Sequence, residues 1–188
     1  YNGLDDIKGW LLSDEANVIG NIKKIESTGT SLGDFVSIKN GFATLKNDIY
    51  VFTPYREDEA YFYLKKNSKE YPIEKTICRN TVKPNPLNLQ MEKLIFPYMQ
   101  SEGKVAIMSE DYFQTNYPKT YAYLTDFKNE LAQRDKGNRQ YVEWYAYGRT
   151  QALNINGYRL FFPYLASKPI FILSEEKELM FYNGYALV

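Results

Sequence analysis

The segment YPKTYAYLTDFKNELAQR, residues 117–134, is the clearest helix that the sequence predicts. Pro118 suits the first turn of a helix, where its missing N–H group has no intrahelical partner to lose. One apolar face recurs at helical spacing, formed by Tyr121, Leu124, Phe127 and Leu131. The helix is therefore expected to pack this face against a core and to end near Arg134.

Short apolar runs on both sides of this helix predict strands. They are residues 32–39, 49–52, 61–64, 94–96 and 105–108 before the helix, and 160–162, 170–173 and 179–182 after it. Asn40-Gly41 after the first run is a turn signal. Strands grouped before and after a helix predict an α+β fold with a mixed or mainly antiparallel sheet and two main helices.

A shorter helix is predicted near the start of the chain. Ser13, Asp14 and Glu15 combine a capping hydroxyl with acids for the first turn, and Gly29 ends the helical pattern. Because the chain opens at Tyr1 rather than Met, we expect a fragment of a longer protein. Residues 1–30 would then be a connector helix from a preceding domain, and residues 31–188 a separate domain.

The residue types that the sequence lacks exclude several classes of enzyme. There is no histidine and a single cysteine, Cys78, so Ser-His-Asp and Cys-His catalysis are ruled out within this chain. A zinc site would have to rely on carboxylates alone. One cysteine also excludes an internal disulfide, which fits a reducing cytoplasm.

The sequence carries no signature of methyl transfer either. Residues 83–87, Lys-Pro-Asn-Pro-Leu, lack the adjacent prolines and the aromatic ring of the Asn-Pro-Pro-Tyr motif of amino-methyltransferases. No glycine-rich loop is present to hold S-adenosylmethionine. We therefore expect no catalytic, cofactor-binding or metal-binding residue here, and the apolar runs are too short to predict a membrane span.

Charge is balanced overall but segregated along the chain. The 23 basic and 23 acidic residues sum to zero, which counts against nucleic-acid binding as a bulk property. Between positions 134 and 159, however, five basic residues face only two acidic ones. Such a local patch would allow a neutral domain to bind a polyanion.

The most informative motif is Trp144-Tyr145-Ala146-Tyr147-Gly148-Arg149-Thr150-Gln151. Arginine can donate two parallel hydrogen bonds to guanine, and glutamine can pair with adenine. Aromatic rings can pack on sugars or bases, and Gly148 permits a close approach. The motif predicts DNA contacts by Tyr147, Arg149, Thr150 and Gln151. The alternative is that Trp144 and Tyr145 are core and that Arg149 is a structural ion-pair partner.

Other cationic and polar side chains complete the candidate DNA contacts. The loop after the long helix adds Arg134, Lys136 and Arg139. The Asn40-Gly41 turn would present Lys39, Asn40, Thr44 and Lys46 to a groove, although an ordinary hairpin with a solvated tip explains the same pattern. Arg79 and Lys83 are candidates for phosphate contacts.

The order of several short segments resembles a known family. They are Leu32-Gly33-Asp34-Phe35, Lys39-Asn40-Gly41-Phe42-Ala43-Thr44, Asn47-Asp48-Ile49-Tyr50-Val51, Cys78-Arg79-Asn80, Leu94-Ile95-Phe96-Pro97-Tyr98, Tyr117-Pro118-Lys119-Thr120-Tyr121-Ala122-Tyr123-Leu124, Leu131-Ala132-Gln133-Arg134-Asp135, Trp144-Tyr145 and Gly148-Arg149-Thr150-Gln151. Each segment is degenerate alone, but their succession covers nearly all of the chain after Ser31. It resembles the TaqI-like C-terminal specificity domain, the target recognition domain of adenine-N6 DNA methyltransferases in restriction-modification systems.

The resemblance implies sequence-specific recognition of duplex DNA in the major groove, beside a catalytic methyltransferase domain of the same chain. That catalytic domain would bind S-adenosylmethionine and flip out the adenine, and many relatives of the family also cut DNA. The fragment itself would not be an enzyme. The expected partners are double-stranded DNA and the catalytic domain, in the cytoplasm and away from any membrane.

Three other functions remain open from the sequence. The nearest is the recognition half of a separate specificity subunit, which a coiled-coil spacer helix would mark. An aromatic-lined carbohydrate-binding module is suggested by the 18 tyrosines. A domain that binds only other proteins is the third alternative.

Overall fold

The computed structural model describes residues 4–5, 9–10, 13, 15–84, 90–101 and 103–188. The chain divides into two compact units, Tyr1–Ser37 and Ile38–Val188. The boundary predicted from the sequence, between a connector helix and a separate domain, lies after residue 30 and stays a prediction.

The described residues of the first unit include one helix and one pair of short strands. Strand β1 (Leu4–Asp5) pairs antiparallel with β2 (Gly9–Trp10), and helix α1 spans Ala16–Glu26. The predicted first helix is confirmed, although Glu15 at its N-cap makes no capping hydrogen bond through its side chain. The strand predicted for residues 32–39 is wrong at its start, because Leu32–Asp34 forms a 3-10 turn.

The second unit contains the remaining elements. Its helices are α2 (Asn47–Tyr50), α3 (Glu110–Asn116), α4 (Pro118–Asp126) and α5 (Lys128–Ala132). Its strands are β3 (Ile38–Asn40), β4 (Val51–Phe52), β5 (Arg56–Glu57), β6 (Tyr61–Lys66), β7 (Lys69–Glu74), β8 (Cys78–Val82), β9 (Met91–Ile95), β10 (Tyr98–Ser101), β11 (Lys104–Ile107), β12 (Arg159–Pro163), β13 (Ile172–Ser174), β14 (Met180–Phe181) and β15 (Gly184–Leu187).

The strands form several small sheets, and most neighbours are antiparallel. One four-stranded sheet has the order β13-β12-β15-β3, a second has the order β14-β8-β9-β4, and β5-β6-β7 form a meander. Strands β10 and β11 form a separate hairpin. The pairing of β14 with β8 is parallel. The predicted α+β class with a mainly antiparallel sheet is therefore confirmed.

The long helix predicted for residues 117–134 is broken in two. Helix α4 ends at Asp126, and Phe127 leaves the helical region with φ −107° and ψ 11° before α5 begins. The Phe127 ring is buried and lies 5.1 Å from the Tyr123 ring and 5.9 Å from the Tyr71 ring. Burial of this ring stabilises the break, since an aromatic side chain removes a large apolar area from water.

Two clusters of buried side chains hold the second unit together. The larger cluster gathers residues from the helices, the meander and the β8–β9 pair, and includes Tyr50, Tyr123, Tyr145 and Tyr147. The smaller cluster packs Phe161 and Phe181 between the two four-stranded sheets. Among the described residues seven tyrosines are buried, so much of the aromatic content is core. In the described part of the chain, no helix has the length and apolar character needed to cross a membrane.

Candidate nucleic-acid interface

The structure joins the two segments that the sequence selected as DNA contacts. Ala43 and Arg149 form an antiparallel bridge, in which Arg149 N donates to Ala43 O at 2.9 Å and Ala43 N donates to Arg149 O at 3.3 Å. Arg149, Thr150 and Gln151 follow this bridge and are exposed. The bridge therefore places the predicted reading segment beside the segment that begins at Lys39.

Glycine is required where these segments approach their neighbours. A Cβ atom on Gly148 would overlap the side chain of Leu45, and one on Gly41 would lie 2.5 Å from Phe181 O. Leu45 itself has a φ of 63°, in the left-handed region that few non-glycine residues adopt. Both glycines of the motifs thus serve close packing of backbone segments.

Arg134 connects the two segments to the end of α5 from inside the protein. Its guanidinium donates to four backbone carbonyls, namely Leu131 O at 2.8 Å, Thr44 O at 3.1 Å, Ala146 O at 2.7 Å and Trp144 O at 2.7 Å. The residue is only 3% exposed. It therefore holds the loop geometry beneath Arg149 rather than reaching outward.

Buried hydrogen bonds also fasten the irregular backbone of residues 144–147. Tyr50 Oη donates to Tyr145 O at 2.8 Å, and Tyr147 N donates to Tyr98 Oη at 2.7 Å. Burial raises the pKa of Tyr98 to about 12. Backbone groups that lack sheet or helix partners are satisfied in this way, which gives a rigid segment without regular structure.

Trp144 is held at the edge of the same segment. Its indole Nε1–H donates to Glu110 Oε1 at 2.7 Å, and Tyr121 Oη donates to the same oxygen at 2.7 Å. The hydrogen bond from Trp144, followed in size by the one from Tyr121, lowers the pKa of Glu110 below its usual value. Trp144 is therefore a structural anchor, as the alternative interpretation of the motif required.

Three of the side chains predicted to contact DNA are buried in the structure. Thr44 and Tyr147 are 0% and 2% exposed, and Arg134 is buried as described above. Thr44 Oγ1 donates to Asn47 Oδ1 and accepts from Lys46 N, while Tyr147 Oη donates to Ile95 O. Each polar group is satisfied by its own protein, so none is available to a groove without breaking the loop.

Of the remaining candidates of the Lys39 segment, Lys39 and Asn40 are exposed and Lys46 is partly buried. Lys39 and Asn40 are exposed on β3, which pairs with β15 through Ala186 and Tyr185. Lys46 is partly buried, and its Nζ lies 3.8 Å from Glu130 Oε2. The predicted Asn40-Gly41 hairpin turn does not form, because Gly41 continues into backbone bonds with β15 and Phe42 with Phe181.

The loop after α5 presents two exposed cations on an unusual backbone. Asp135, Lys136 and Gly137 have successive φ values of 50°, 59° and 73° in the left-handed region. Arg139 Nη1 lies 3.7 Å from Asp135 Oδ2, and the Arg139 guanidinium lies 5.3 Å from the centre of the Tyr141 ring. Lys136 is exposed, and no ion pair to it is found among the described residues.

Arg79 and Lys83 lie on and just after β8, which β14 separates from the segment of Gly41 and Phe42. Arg79 lies on β8, where its Nη1 donates to Cys78 O at 3.2 Å and its guanidinium is 5.5 Å from the Phe96 ring centre. Lys83 follows β8 and is exposed. Among the described residues, no contact links either side chain to Arg149. Within the same residues, no group of three or more His, Cys, Asp or Glu side chains could hold a metal ion.

The sequence missed the residues that position the candidate surface. Arg134 was selected for its charge, and nothing in its neighbourhood indicated that four carbonyls would enclose it. Tyr50, Tyr98 and Glu110 were not selected at all. Their partners lie tens of residues away in sequence, so only the tertiary fold reveals them.

Comparison with known proteins relates the chain to one much longer enzyme. It is 25% identical over 171 residues to an Escherichia coli protein described as the type II restriction enzyme and methyltransferase RM.Eco57I. The alignment covers 79% of this chain and 16% of the relative. None of the protein-family models compared with the sequence matches it. The chain is thus distantly similar to a part of a restriction-modification enzyme.

Proposed function

We propose that this chain is the sequence-specific duplex DNA recognition domain of an adenine-specific DNA methyltransferase or of a combined restriction-modification enzyme. The observation that carries the proposal is the bridge between Ala43 and Arg149. It brings the exposed groups of Arg149, Thr150 and Gln151 next to the segment of Lys39 and Asn40, so that several donors that suit base edges and phosphates share one surface.

The rigidity of this surface supports the same function. Reading a base edge requires donors held in a defined geometry before DNA binds, because ordering a loop on binding costs free energy. Arg134 and the buried tyrosine contacts supply that order beneath the exposed residues. The similarity to a restriction enzyme and methyltransferase supports the placement of this surface in a restriction-modification protein.

The chemistry is assigned to a different domain. In this proposal a catalytic domain of the same polypeptide binds S-adenosylmethionine and extrudes the adenine, while this chain selects the site. The proposed partners are therefore double-stranded DNA and that catalytic domain, in the cytoplasm. The candidate contacts are Arg149, Thr150, Gln151, Lys39, Asn40, Lys136 and Arg139, with Lys46, Arg79 and Lys83 as secondary phosphate contacts.

The test is duplex binding by the 188-residue chain as salt is raised, measured by fluorescence anisotropy. Arg149→Ala should weaken binding, and a lost phosphate contact would lower the slope of log K against log salt by about 1. Arg56→Ala is the matched control, because Arg56 is also exposed but lies on the meander in an ion pair with Glu70 at 3.1 Å. Equal losses in both variants, or binding that ignores salt, would contradict the proposal.

A further inference from the structure

One face of the β13-β12-β15-β3 sheet carries a row of aromatic rings outside the core. Phe162 on β12 pairs with Tyr185 on β15, and their rings stack with centres 5.2 Å apart. The Phe171 ring lies 5.7 Å from Phe162, and the Tyr164 ring lies 4.8 Å from Tyr185. Phe171 is 52% and Tyr164 49% exposed, so both rings are accessible to a ligand.

A small cavity opens at one end of this row. It has a volume of about 270 Å³ and is lined by the end of β12 and by the segment that connects β12 to β13. Phe162, Pro163, Pro169 and Phe171 form its apolar walls, and Lys168 is its charged residue. Lys168 is exposed, and no ion pair to it is found among the described residues.

These features define the chemistry of the ligand. Rings in the wall favour a flat partner that can stack. The volume lies just below the usual range of small-molecule pockets, about 300–1,000 Å³, so it suits one ring system rather than an oligosaccharide. The unpaired ammonium of Lys168 favours an anionic group on that partner. A nucleobase that carries its phosphate, and that is not stacked in a helix, meets all three conditions.

The row also points to where such a nucleotide would come from. Tyr185 pairs with Asn40 on β3. The row of rings that starts at the cavity therefore ends beside Asn40, a residue of the candidate DNA surface. Asn40 in turn lies three residues before Ala43, which is bonded to Arg149. Enzymes that modify a base inside a duplex must first extrude it, which leaves unpaired nucleotides in the bound DNA.

We propose that the cavity lined by Phe162 and Phe171 binds a single unstacked nucleotide of the DNA that contacts Arg149. The proposal rests on the DNA-recognition function and adds a second site to it. The ring of the nucleotide lies against Phe171 and Phe162, and its phosphate lies near Lys168. The site discriminates between distorted and fully paired DNA, not between base sequences.

The test uses the 188-residue chain and two duplexes that differ only by one unpaired 2-aminopurine nucleotide. Stacking on a ring quenches the fluorescence of this base, and anisotropy of a separate label gives the affinity. Wild-type chain should quench the bulged base and bind the bulged duplex more tightly than the paired one. Phe171→Ala should reduce that preference by about 5-fold to about 100-fold, the range for one lost base–aromatic stack, and leave the paired duplex unaffected.

Two variants make the result specific. Leu165→Ala is the control from the same loop, since Leu165 is 92% exposed and does not line the cavity, and it should change neither affinity. Arg149→Ala should weaken both duplexes by the same factor. If Arg149→Ala leaves both affinities unchanged while Phe171→Ala behaves as expected, the recognition surface is wrong. If Phe171→Ala leaves the bulge preference unchanged while Arg149→Ala behaves as expected, the cavity proposal is wrong.

Competition by deoxyadenosine monophosphate distinguishes the source of the nucleotide. If the bulged duplex is preferred and the monophosphate competes poorly, the ligand is an unpaired nucleotide within DNA, as proposed. Strong binding of the monophosphate without any preference for the bulge would overturn the DNA source. The proposal would also be overturned if the bulged base is not quenched and the chain forms a dimer that both Phe171→Ala and Leu165→Ala dissociate. That result would show a protein interface instead.

Discussion

Replacement of Arg134 by alanine separates a structural arginine from a DNA contact. The substitution removes four hydrogen bonds to the carbonyls of Leu131, Thr44, Ala146 and Trp144 and leaves those oxygens buried. A hydrogen bond from a charged donor contributes about 1.5–3 kcal/mol, but bonds of one side chain are not additive, and removal of a buried charge recovers part of its desolvation cost. We expect a net loss of about 3–5 kcal/mol of unfolding free energy.

The assay is urea unfolding followed by circular dichroism, with thermal melting as a second readout. A loss of this size lowers Tm by about 6–20 °C in a chain of this length. Arg134→Lys should recover only part of the loss, because an ammonium group cannot reproduce the planar fork that reaches four carbonyls. Arg149→Ala is the comparison, since an exposed side chain should change stability by no more than about 0.5 kcal/mol.

A specific outcome would refute this reasoning. If Arg134→Ala unfolds within about 1 kcal/mol of the wild type and loses DNA affinity as Arg149→Ala does, the guanidinium contacts DNA directly. The enclosure by carbonyls would then not describe the protein in solution, and the sequence-based prediction for Arg134 would stand.

Three further predictions follow from the same contacts. Gly148→Ala should destabilise the chain by about 1–3 kcal/mol and weaken duplex binding, since the added methyl overlaps Leu45 and displaces Arg149; an unchanged melting temperature would contradict the close approach. Tyr147→Phe should lower the free energy of unfolding by about 1–2 kcal/mol through the lost hydrogen bond to Ile95 O and leave duplex affinity unchanged. A selective loss of affinity in a stable variant would show that Tyr147 contacts DNA. The lowered pKa of Glu110 means that its bonds to Trp144 and Tyr121 stabilise the fold above the unfolded pKa, near 4.5, and that this contribution is lost as pH falls through the folded value. Urea unfolding across that range should show the loss in the wild type and not in Glu110→Gln, and parallel pH profiles would count against it.

The fold was predictable where local pattern and tertiary packing agree. The strand predicted at residues 61–64 appears as β6, because Phe62 and Leu64 alternate inward against the core. Residues 49–52 were predicted as one strand, but Ile49 and Tyr50 complete α2 and only Val51 and Phe52 pair with β9. A short apolar run does not by itself distinguish these two outcomes.

Strand β7 shows what local pattern could not predict. Its sequence, Lys69–Glu74, contains Pro72 and three charged residues, which argue against a strand. It forms because Tyr71 and Ile73 are buried and because Glu74 accepts hydrogen bonds from the first turn of α4 through Lys119 N and Thr120 N. Contacts between residues 45 apart in sequence leave no local signal.

The candidate site was predictable in part for a similar reason. Exposed Arg149 and Gln151 follow from local chemistry, because a run of polar side chains is typical of a surface segment. The same criteria also selected Arg134 and Thr44, whose polar groups are used inside the protein. The charge of an arginine does not distinguish a residue that contacts a DNA groove from a buried structural residue. The number of backbone carbonyls around the guanidinium does distinguish them.

The central claim, that the surface around Arg149 reads base edges, is tested most directly by selection from a random pool of duplexes. The wild-type chain should enrich a defined sequence, and Arg149→Ala should lose the preference at one base pair while keeping the others. The loss should be about 5-fold to about 100-fold, the range for one arginine–guanine pair, and Arg149→Lys should not restore it. No enrichment by the wild type, or an identical enriched sequence in a stable Arg149→Ala variant, would contradict the account.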